Sequence, residues 1–419
     1  MDVKAHTLRK SITVPFSGRL VTALIAGVVA ATLQSAAHAA ANLIPYGIAK
    51  YQHYSNLFAV SRSNPETAAN GEKMFDDVGL FYIAGAEAEF TAGRQKFFAA
   101  AEGRRINYSN FSQFNHSEYR WTGGLDWALT RLVDGKLAYK KERRQVAFVD
   151  DQNRVKSQLN LEDESVFNLD ANLNVSKNWR IELGGQDYRL DSPQPPLRPN
   201  FGVTETSFKT GIKYVGAANL STGFEAISAQ GKFVGLENDE TIKYKQTTGQ
   251  ITANYKLSDR TSFNGAVGYT RRNQLQLNAD NTVNATTGSL GYKRRLTGKT
   301  SFSFQLVRAI NTYIYNAGAT TEINTGGVAG LSWQATQKAN FAFNYSLNQG
   351  KFAGGNVAPG VIGVDRSDRS KYAELLTTFN LTKWMVLAPY GRVETRKSNI
   401  DQFSYNNTVY GTELRIRFE

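Results

Sequence analysis

The residues of this chain best suited to chemistry are basic side chains that recur in adjacent pairs. Clustered cations attract anionic groups such as carboxylates and phosphates. Neighbouring residues of a β-strand point to opposite faces, so one member of each pair would face each side of a sheet. The pairs and one looser group are Arg104-Arg105, Lys140-Lys141, Arg143-Arg144, Arg271-Arg272, and Arg392 with Arg396 and Lys397.

Residues for catalysis are scarce by comparison. His53 and His116 are the histidines outside the first 39 residues, and neither belongs to a nucleophile, base or metal-ligand motif. His53 falls in a predicted strand and His116 in a predicted outer loop. The acidic residues Asp150, Asp151 and Glu162–Glu164 are more typical of a solvated loop than of a cation site. We therefore expect no enzymatic activity, no metal and no cofactor.

The elements that must position these side chains are β-hairpins, and Ile251–Val267 shows the pattern most clearly. Apolar and polar residues alternate through Ile251–Leu257, which is the period of a strand with one apolar and one polar face. Ser258–Thr261 then forms a short polar turn, and the apolar alternation resumes in Phe263–Val267. Two strands joined by a tight polar connection define a β-hairpin.

The same turn pattern recurs along the chain. The spacing between successive turns stays near ~40 residues, which leaves room for two strands and one long polar loop. Each strand is long enough for the roughly 9–11 tilted residues that cross a membrane. Further turns of this kind occur at Ala92–Lys96, Leu132–Lys136, Val175–Trp179, Val215–Asn219, Leu296–Phe302, Ala335–Phe341 and Leu381–Trp384.

We therefore predict an all-β fold, a closed antiparallel transmembrane β-barrel of about eighteen strands. About sixteen strands remain possible if one weak pair is misassigned. Asp191–Asn200 is rich in proline and is predicted to be a loop. An even number of strands places both termini on one side, with short turns periplasmic and long loops outside. One long loop, such as Gly350–Arg369, could fold inward as a constriction.

The composition agrees with such a barrel. Hydrophobic residues make up 41% of the 419 residues and the mean hydropathy is −0.40, because residues lining a lumen dilute those facing lipid. The chain has 20 tyrosines and 24 phenylalanines, which suits aromatic girdles at the membrane surfaces. Cysteine is absent, which excludes a disulfide and a lipid-modified N-terminal cysteine. The net charge of +13 is by itself weak evidence for nucleic-acid binding, which we do not expect.

Residues 1–39 have the features of a secretory signal peptide. A basic N-terminal region precedes the apolar run Leu20–Leu33, and Ala37-His38-Ala39 fits a cleavage site. The alternative is an N-terminal membrane anchor, although the run is shorter than the ~18–20 residues of a spanning helix. Residues 40–419 would then form one barrel domain in a bacterial outer membrane.

Aromatic residues that follow the short turns are predicted to form a belt at the membrane surface. The alternative is cross-strand packing in the core of a soluble β-protein. The five residues of this predicted belt are Trp179, Phe263, Phe302, Phe341 and Trp384.

The alternation also predicts which basic residues line the lumen, where they would favour anionic solutes. These residues are Lys140, Arg144, Arg180, Lys256, Arg415 and Arg417. Acidic residues predicted on the same face, which could balance their charge, are Glu142, Asp170, Glu182 and Glu413. Outward-facing cations could instead bind the phosphates of lipopolysaccharide.

The last strand, Tyr410–Phe418, alternates apolar and polar residues. It resembles the C-terminal recognition strand of outer-membrane barrels, which usually ends in phenylalanine, and the resemblance implies the barrel-assembly machinery as a partner. Glu419 follows Phe418, which departs from that pattern. An edge strand of a soluble protein would have the same alternation.

The start of the barrel domain, Leu43–Pro65, contains Tyr54-Ser55-Asn56-Leu57-Phe58. It resembles the opening of the EpsL type of β-barrel porin, which is encoded with exopolysaccharide-synthesis genes. The resemblance implies an outer-membrane conduit for polysaccharide export, in contact with lipid and lipopolysaccharide and without catalytic residues. The alternatives are a general or anion-preferring diffusion porin, and a non-conducting barrel that acts as a scaffold or receptor.

Overall fold

The computed structural model describes residues 41–61, 75–145, 159, 161–192, 201–216, 219–234, 242–275, 280–316, 319–353 and 366–418. The predicted signal peptide lies outside these residues, as do Asp150, Asp151 and most of the loop Gly350–Arg369. No helix within these ranges is long and apolar enough to cross a membrane.

The described residues form eighteen β-strands and two short 3₁₀ turns, Ser112–Phe114 and Asp401–Phe403. The strands are β1 Ala41–Tyr54, β2 Asp77–Ala92, β3 Gln95–Tyr108, β4 His116–Ala128, β5 Val133–Gln145, β6 Leu161–Asn174, β7 Trp179–Ser192, β8 Phe201–Val215, β9 Leu220–Val234, β10 Ile242–Ser258, β11 Thr261–Leu275, β12 Asp280–Arg295, β13 Thr300–Asn316, β14 Ala319–Gln334, β15 Ala339–Ala353, β16 Ser367–Asn380, β17 Met385–Ser398 and β18 Tyr405–Arg417.

Each strand pairs antiparallel with the next, and β18 pairs with β1 from Tyr46↔Arg417 to Tyr54↔Val409, which closes the sheet. The prediction of a closed eighteen-stranded antiparallel barrel is confirmed, and the alternative of sixteen strands is wrong. Closure gives every strand two neighbours, so no open sheet edge runs the length of the barrel.

Several strands extend further toward the long-loop end than the sequence predicts. His116 begins β4 and is not a loop residue, and Glu162–Glu164 belong to β6 rather than to a solvated loop. β7 likewise continues through Ser192, into the predicted loop. These extensions consist of charged and polar residues, so apolar alternation does not reveal them. Cross-strand pairs such as Arg143↔Asp163 continue the ladder instead.

Alternation divides the barrel into two faces. On β6 the exposed apolar residues Leu169 and Leu173 share the exterior face, while Asn168, Asp170 and Asn172 occupy the other. Apolar side chains left in contact with the surroundings are typical of strands that face lipid. The polar face therefore points into the barrel.

Among the described residues, the largest buried apolar cluster lies at the long-loop end, against the interior face. Leu57, Phe58 and Val60, which follow β1, pack with Phe111 and with other buried residues of the β3–β4 connection. Asn56 fixes this segment, because its Nδ2 donates to the carbonyl oxygens of Val60 at 2.8 Å and Asn406 at 3.2 Å. The segment with the Asn-Leu-Phe resemblance is thus a fold-forming element.

β12 and β13 pair only from Gly288↔Arg308 to Arg295↔Ser301 among their described residues. Two arginines bond backbone carbonyls beyond this ladder. On the exterior face Arg308 Nε donates to the Thr286 carbonyl oxygen at 3.0 Å. From β11, Arg272 Nη1 donates to the Asn311 carbonyl oxygen at 3.3 Å. Where the backbone ladder stops, Arg308 therefore joins β13 to β12, and Arg272 joins β13 to β11.

Candidate functional site

The register places all six basic residues predicted for the lumen on the interior face. Lys140 and Arg144 of β5 lie opposite Val166 and Glu162 of β6, on the face away from Leu169. The same parity, followed from strand to strand, orients the other four, which are Arg180, Lys256, Arg415 and Arg417.

Most of these cations have acidic partners close by. Lys140 Nζ lies 3.1 Å from Glu142 Oε1 and 3.2 Å from Glu164 Oε1. Arg144 Nη2 lies 3.1 Å from Glu164 Oε2. The remaining acidic contacts are Lys256–Asp259 at 2.7 Å, Arg415–Glu413 at 2.7 Å and Arg417–Glu87 at 3.1 Å. The positive charge at these positions is therefore balanced locally.

Arg180 differs from the other five predicted residues. Its Nε donates to Asn174 Oδ1 at 2.8 Å, and the described residues give it no carboxylate partner. A neutral amide acceptor orients the guanidinium without cancelling its charge.

A charge ladder runs across the interior face of β3–β6. In it Arg104 lies 2.5 Å from Glu102 and 3.5 Å from Glu118, and Arg120 lies 3.1 Å from the buried Glu142. We call the following residues the interior charge ladder: Glu102, Arg104, Glu118, Arg120, Lys140, Glu142, Arg144 and Glu164.

His116 supports one end of this ladder. Its Nε2 lies 3.2 Å from Glu118 Oε1, and its Nδ1 lies 2.7 Å from the Phe114 carbonyl oxygen. Both ring nitrogens are thus engaged and the ring is buried. His116 therefore holds a carboxylate and a turn in place.

A second basic region lies at the short-turn end, between three successive turns. A recess of about 740 Å³ opens between the β10–β11, β12–β13 and β14–β15 connections. Hydroxyl and amide side chains such as Ser301 and Asn340 also line it. We call it the basic recess, and its cations are Lys256, Arg260, Lys293, Arg295, Lys299 and Lys338.

Asp259 is the acidic residue that lines the recess. Its carboxylate lies 2.7 Å from Lys256 Nζ, and the hydrogen bond from this ammonium lowers the pKa of Asp259. Arg260, Lys293 and Lys338 are exposed, and none of them forms a salt bridge within the described part of the chain. The recess therefore carries an excess of positive charge.

Sequence reasoning missed this recess, although a signal for it was present. The repeated turns place Arg260, Lys299 and Lys338 at corresponding positions. Parity along β12 also places Lys293 on the interior face, opposite Ser262. Only the barrel shows that these hairpins are neighbours and that the acids of the strands between them, Asp280 and Glu322, occur near the opposite ends of those strands, away from the recess.

Four residues of the predicted aromatic belt lie beside the short turns on the exterior face, namely Trp179, Phe263, Phe302 and Phe341. Trp384 lies in the β16–β17 turn, before β17 begins at Met385. The four strand residues have aromatic partners on neighbouring strands, and sequence reasoning missed these partners. The ring centroids are 5.1 Å apart for Trp179 and Tyr214, and 48% of Trp384 is exposed. The other contacts are Phe263–Tyr292 at 5.0 Å, Tyr292–Phe302 at 6.1 Å, Trp333–Phe341 at 5.6 Å and Phe341–Phe379 at 6.1 Å.

Metal chemistry has no evident site in the residues that the structure describes. No group of three histidine, aspartate or glutamate side chains there is arranged to hold a metal ion. The charged residues of the interior are instead arranged as ion pairs and as one basic recess.

A closed antiparallel sheet with an apolar exterior, a polar interior and aromatic side chains along one rim defines a transmembrane β-barrel. Neither a protein-family model nor a curated protein matches this sequence. Similar architectures occur among solved outer-membrane channels and receptors.

Three solved structures from Pseudomonas aeruginosa illustrate the likeness. OccK2 (OpdF) in complex with glucuronate is 11% identical, with a TM-score of 0.49, over 90% of this chain and 98% of that one. OccK3 (OpdO) is 13% identical, with a TM-score of 0.47, over 93% and 98%. The siderophore receptor PirA is 9% identical, with a TM-score of 0.47, over 90% and 80%.

Proposed function

We propose that the protein is a water-filled outer-membrane channel that serves as a conduit for extracellular polysaccharide and prefers anionic solutes. The observation that best supports a water-filled channel is the exposure of charged side chains on the interior face. Accessible fractions are 47% for the Arg120 side chain, 53% for Lys136 and 49% for Arg415. Charges that keep about half of their surface accessible indicate a wet interior, as expected for a barrel of this size.

Export of a polysaccharide rests on the resemblance of the first strand region to EpsL-type barrels. A passive conduit needs a bore, side chains that bond hydroxyl groups and no chemistry of its own. The interior face supplies amides and hydroxyls, including Gln250 and Thr252 of β10.

Anion preference rests on the basic recess. Cations paired with carboxylates contribute little net field, whereas Arg260, Lys293 and Lys338 add uncompensated charge at one mouth. A charged mouth with low-dielectric walls concentrates the opposite ion.

Planar-bilayer recording tests the channel. The purified protein should give stable single-channel currents, and its reversal potential in a salt gradient should indicate anion selectivity. A barrel that passes no current would support the scaffold or receptor alternative. A cation-selective current would contradict the preference.

Gene deletion tests the conduit. Loss of surface polysaccharide in the deletion strain, restored by the wild-type gene, is the expected result. Unchanged polymer with reduced uptake of small solutes would favour a general diffusion porin.

Contacts with the outer membrane are part of the proposal. Arg105, Lys141 and Arg143 face outward near the long-loop end, where lipopolysaccharide phosphates would lie. Arg143 is also paired with Asp163 at 2.6 Å, so Arg105 and Lys141 are the better candidates. The exposed Tyr410 and Phe418 of the C-terminal segment are the candidate contacts for the barrel-assembly machinery.

A further inference from the structure

The cations of the basic recess divide into those that contact neighbouring groups of the barrel and those that do not. Arg295 Nη2 donates to the Asp259 carbonyl oxygen at 3.2 Å, and Lys299 Nζ donates to the Ala335 carbonyl oxygen at 3.3 Å. These two cations therefore join neighbouring turns. Arg260, Lys293 and Lys338 have no such bond within the described residues, and they line the same recess.

The cations are arranged as a row along the rim. Arg260 and Lys338 lie in the β10–β11 and β14–β15 turns, and Lys299 lies in the turn between them. Successive hairpins of a sheet are two strands apart, which is roughly 10 Å. A row with this spacing fits an extended ligand whose negative charges recur along its length, and the row is longer than one compact anion.

The uncharged residues that line the recess indicate which kind of extended anion fits it. Between the cations the recess presents Ser262, Ser301, Ser332, Gln334 and Asn340, and aromatic rings do not line it. Hydroxyl and amide groups donate and accept hydrogen bonds, which matches the many hydroxyls of a sugar chain. An acidic peptide would also present apolar side chains, for which this recess offers no apolar pocket.

We propose that the basic recess binds a carboxylated glycan segment, which lies along the row of turns with its carboxylates on Arg260, Lys293 and Lys338. The inference rests on the proposed function, since the short-turn end would face the periplasm and meet the chain before export. A volume of about 740 Å³ is within the roughly 300–1,000 Å³ of small-ligand sites. It would accommodate a short stretch of the polymer, and the rest would extend into the bore.

The test measures binding in detergent, which does not depend on conduction. The probe is a size-fractionated oligogalacturonate, compared with a neutral maltooligosaccharide and with inorganic phosphate by isothermal titration calorimetry. The recess variant is R260Q/K293Q/K338Q. The matched control, R94Q/R131Q/K177Q, removes three exposed cations from the β2–β3, β4–β5 and β6–β7 turns, at the same rim of the opposite half.

The recess variant should bind oligogalacturonate about tenfold more weakly, because each lost contact with an exposed charge costs roughly a factor of two to three. The control variant should bind it as the wild type does. Charge-preserving R260K/K293R/K338R should retain most of the affinity. Heat-modifiable migration on gels verifies that each variant forms the barrel.

If both glutamine variants lose the same affinity, the oligomer is attracted by the overall positive charge of the rim and not by the recess, and the proposal is overturned. Equal binding of maltooligosaccharide would also overturn it. Phosphate binding with the same affinity and the same response to R260Q/K293Q/K338Q would reveal an adventitious anion site only. A protein that binds the oligomer without conducting contradicts the channel and leaves the recess intact. If the protein conducts but R260Q/K293Q/K338Q does not change its affinity for the oligomer, the proposed binding site is contradicted and the channel is not.

Discussion

The interior charge ladder and the basic recess both concentrate cations on the inner face of the same sheet, yet they end in opposite electrostatic states. In the ladder Arg104 lies opposite Glu118, and Arg120 lies opposite Glu142. In the recess Lys293 lies between Ser262 and Ser303, and Arg295 lies opposite Ser301. The ladder has four cations and the recess has six, but the residues paired with them across the strands differ, since they are carboxylates in the ladder and serines in the recess.

The difference shows that cross-strand pairing, rather than the count of basic residues, determines where a barrel keeps usable charge. Opposite side chains on one face of a sheet lie about 4.5–5.5 Å apart, which is close enough for a carboxylate to reach a cation. Serine at that distance solvates the cation without neutralising it. The ladder therefore stabilises the wall, while the recess is left able to bind a ligand.

The largest expected effect comes from breaking the ladder at the buried carboxylate of Glu142. Glu142 contacts Lys140, Arg120 and Arg144, so Glu142→Gln would leave three cations close together. We expect the free energy of unfolding to fall by about 1–2 kcal/mol, less than for a fully buried pair because the three cations are partly solvated. Urea unfolding in lipid vesicles measures it.

The matched control is Glu89→Gln, since Glu89 lies 2.6 Å from Lys96 in an interior pair that is about half exposed. The loss should be much smaller there, because water screens the pair. Equal losses in the two variants would mean that the ladder stabilises the wall no more than any exposed pair.

The sequence permits prediction of three members of the ladder, Lys140, Glu142 and Arg144, but not of Glu164, which is predicted to lie in a solvated loop, nor of the pairing between strands. Alternation within one strand places Lys140 and Arg144 on the interior face, since parity is local. Whether Glu164 reaches them depends on register, which is set by turn lengths and by packing over the whole sheet. The same limit applies to the aromatic belt. Trp179 follows a recognisable turn, whereas Tyr214 is its neighbour only through the β7–β8 pairing.

The next effect comes from converting the recess into a ladder. Ser303→Glu would place a carboxylate opposite Lys293, and Gly330 on the other side leaves space for it. Oligogalacturonate should then bind about threefold to fivefold more weakly, because the new carboxylate neutralises one exposed cation and also repels the anionic ligand. Calorimetry measures the affinity. Ser303→Gln is the control of equal size, and a similar loss in both variants would point to steric obstruction.

A smaller effect should follow from freeing charge within the ladder. Glu164→Gln removes the carboxylate shared by Lys140 and Arg144, so the bore gains net positive charge. The anion-to-cation permeability ratio should rise by less than about twofold, because Glu142 still contacts both cations and bulk salt screens them. Reversal potentials measure the ratio. Asp187→Asn, which removes an acid from the exterior face, should leave it unchanged.

The recess should also respond to salt more strongly than the ladder. Between about 0.1 M and about 1 M salt the Debye length falls from about 10 Å to about 3 Å. Oligogalacturonate binding should weaken steadily over this range, while the unfolding free energy of the wild type should change little, since the ladder's ion pairs are in direct contact. Salt-independent binding would mean that the hydroxyl and amide groups, and not the cations, hold the ligand.

The smallest expected effect is a pH step at Asp259. Lys256 lowers the pKa of Asp259, so the ion pair's contribution is present above the ordinary aspartate pKa of about 3.9 and is lost as the pH falls through the depressed value. Protonation would free the Lys256 ammonium and raise the anion selectivity of the recess only in strongly acidic solution. Reversal potentials measured at successively lower pH should show this rise. Asp259→Asn should show the higher selectivity already at neutral pH, with no further step on acidification. The same step in the asparagine variant would assign the titration to another acid of the bore.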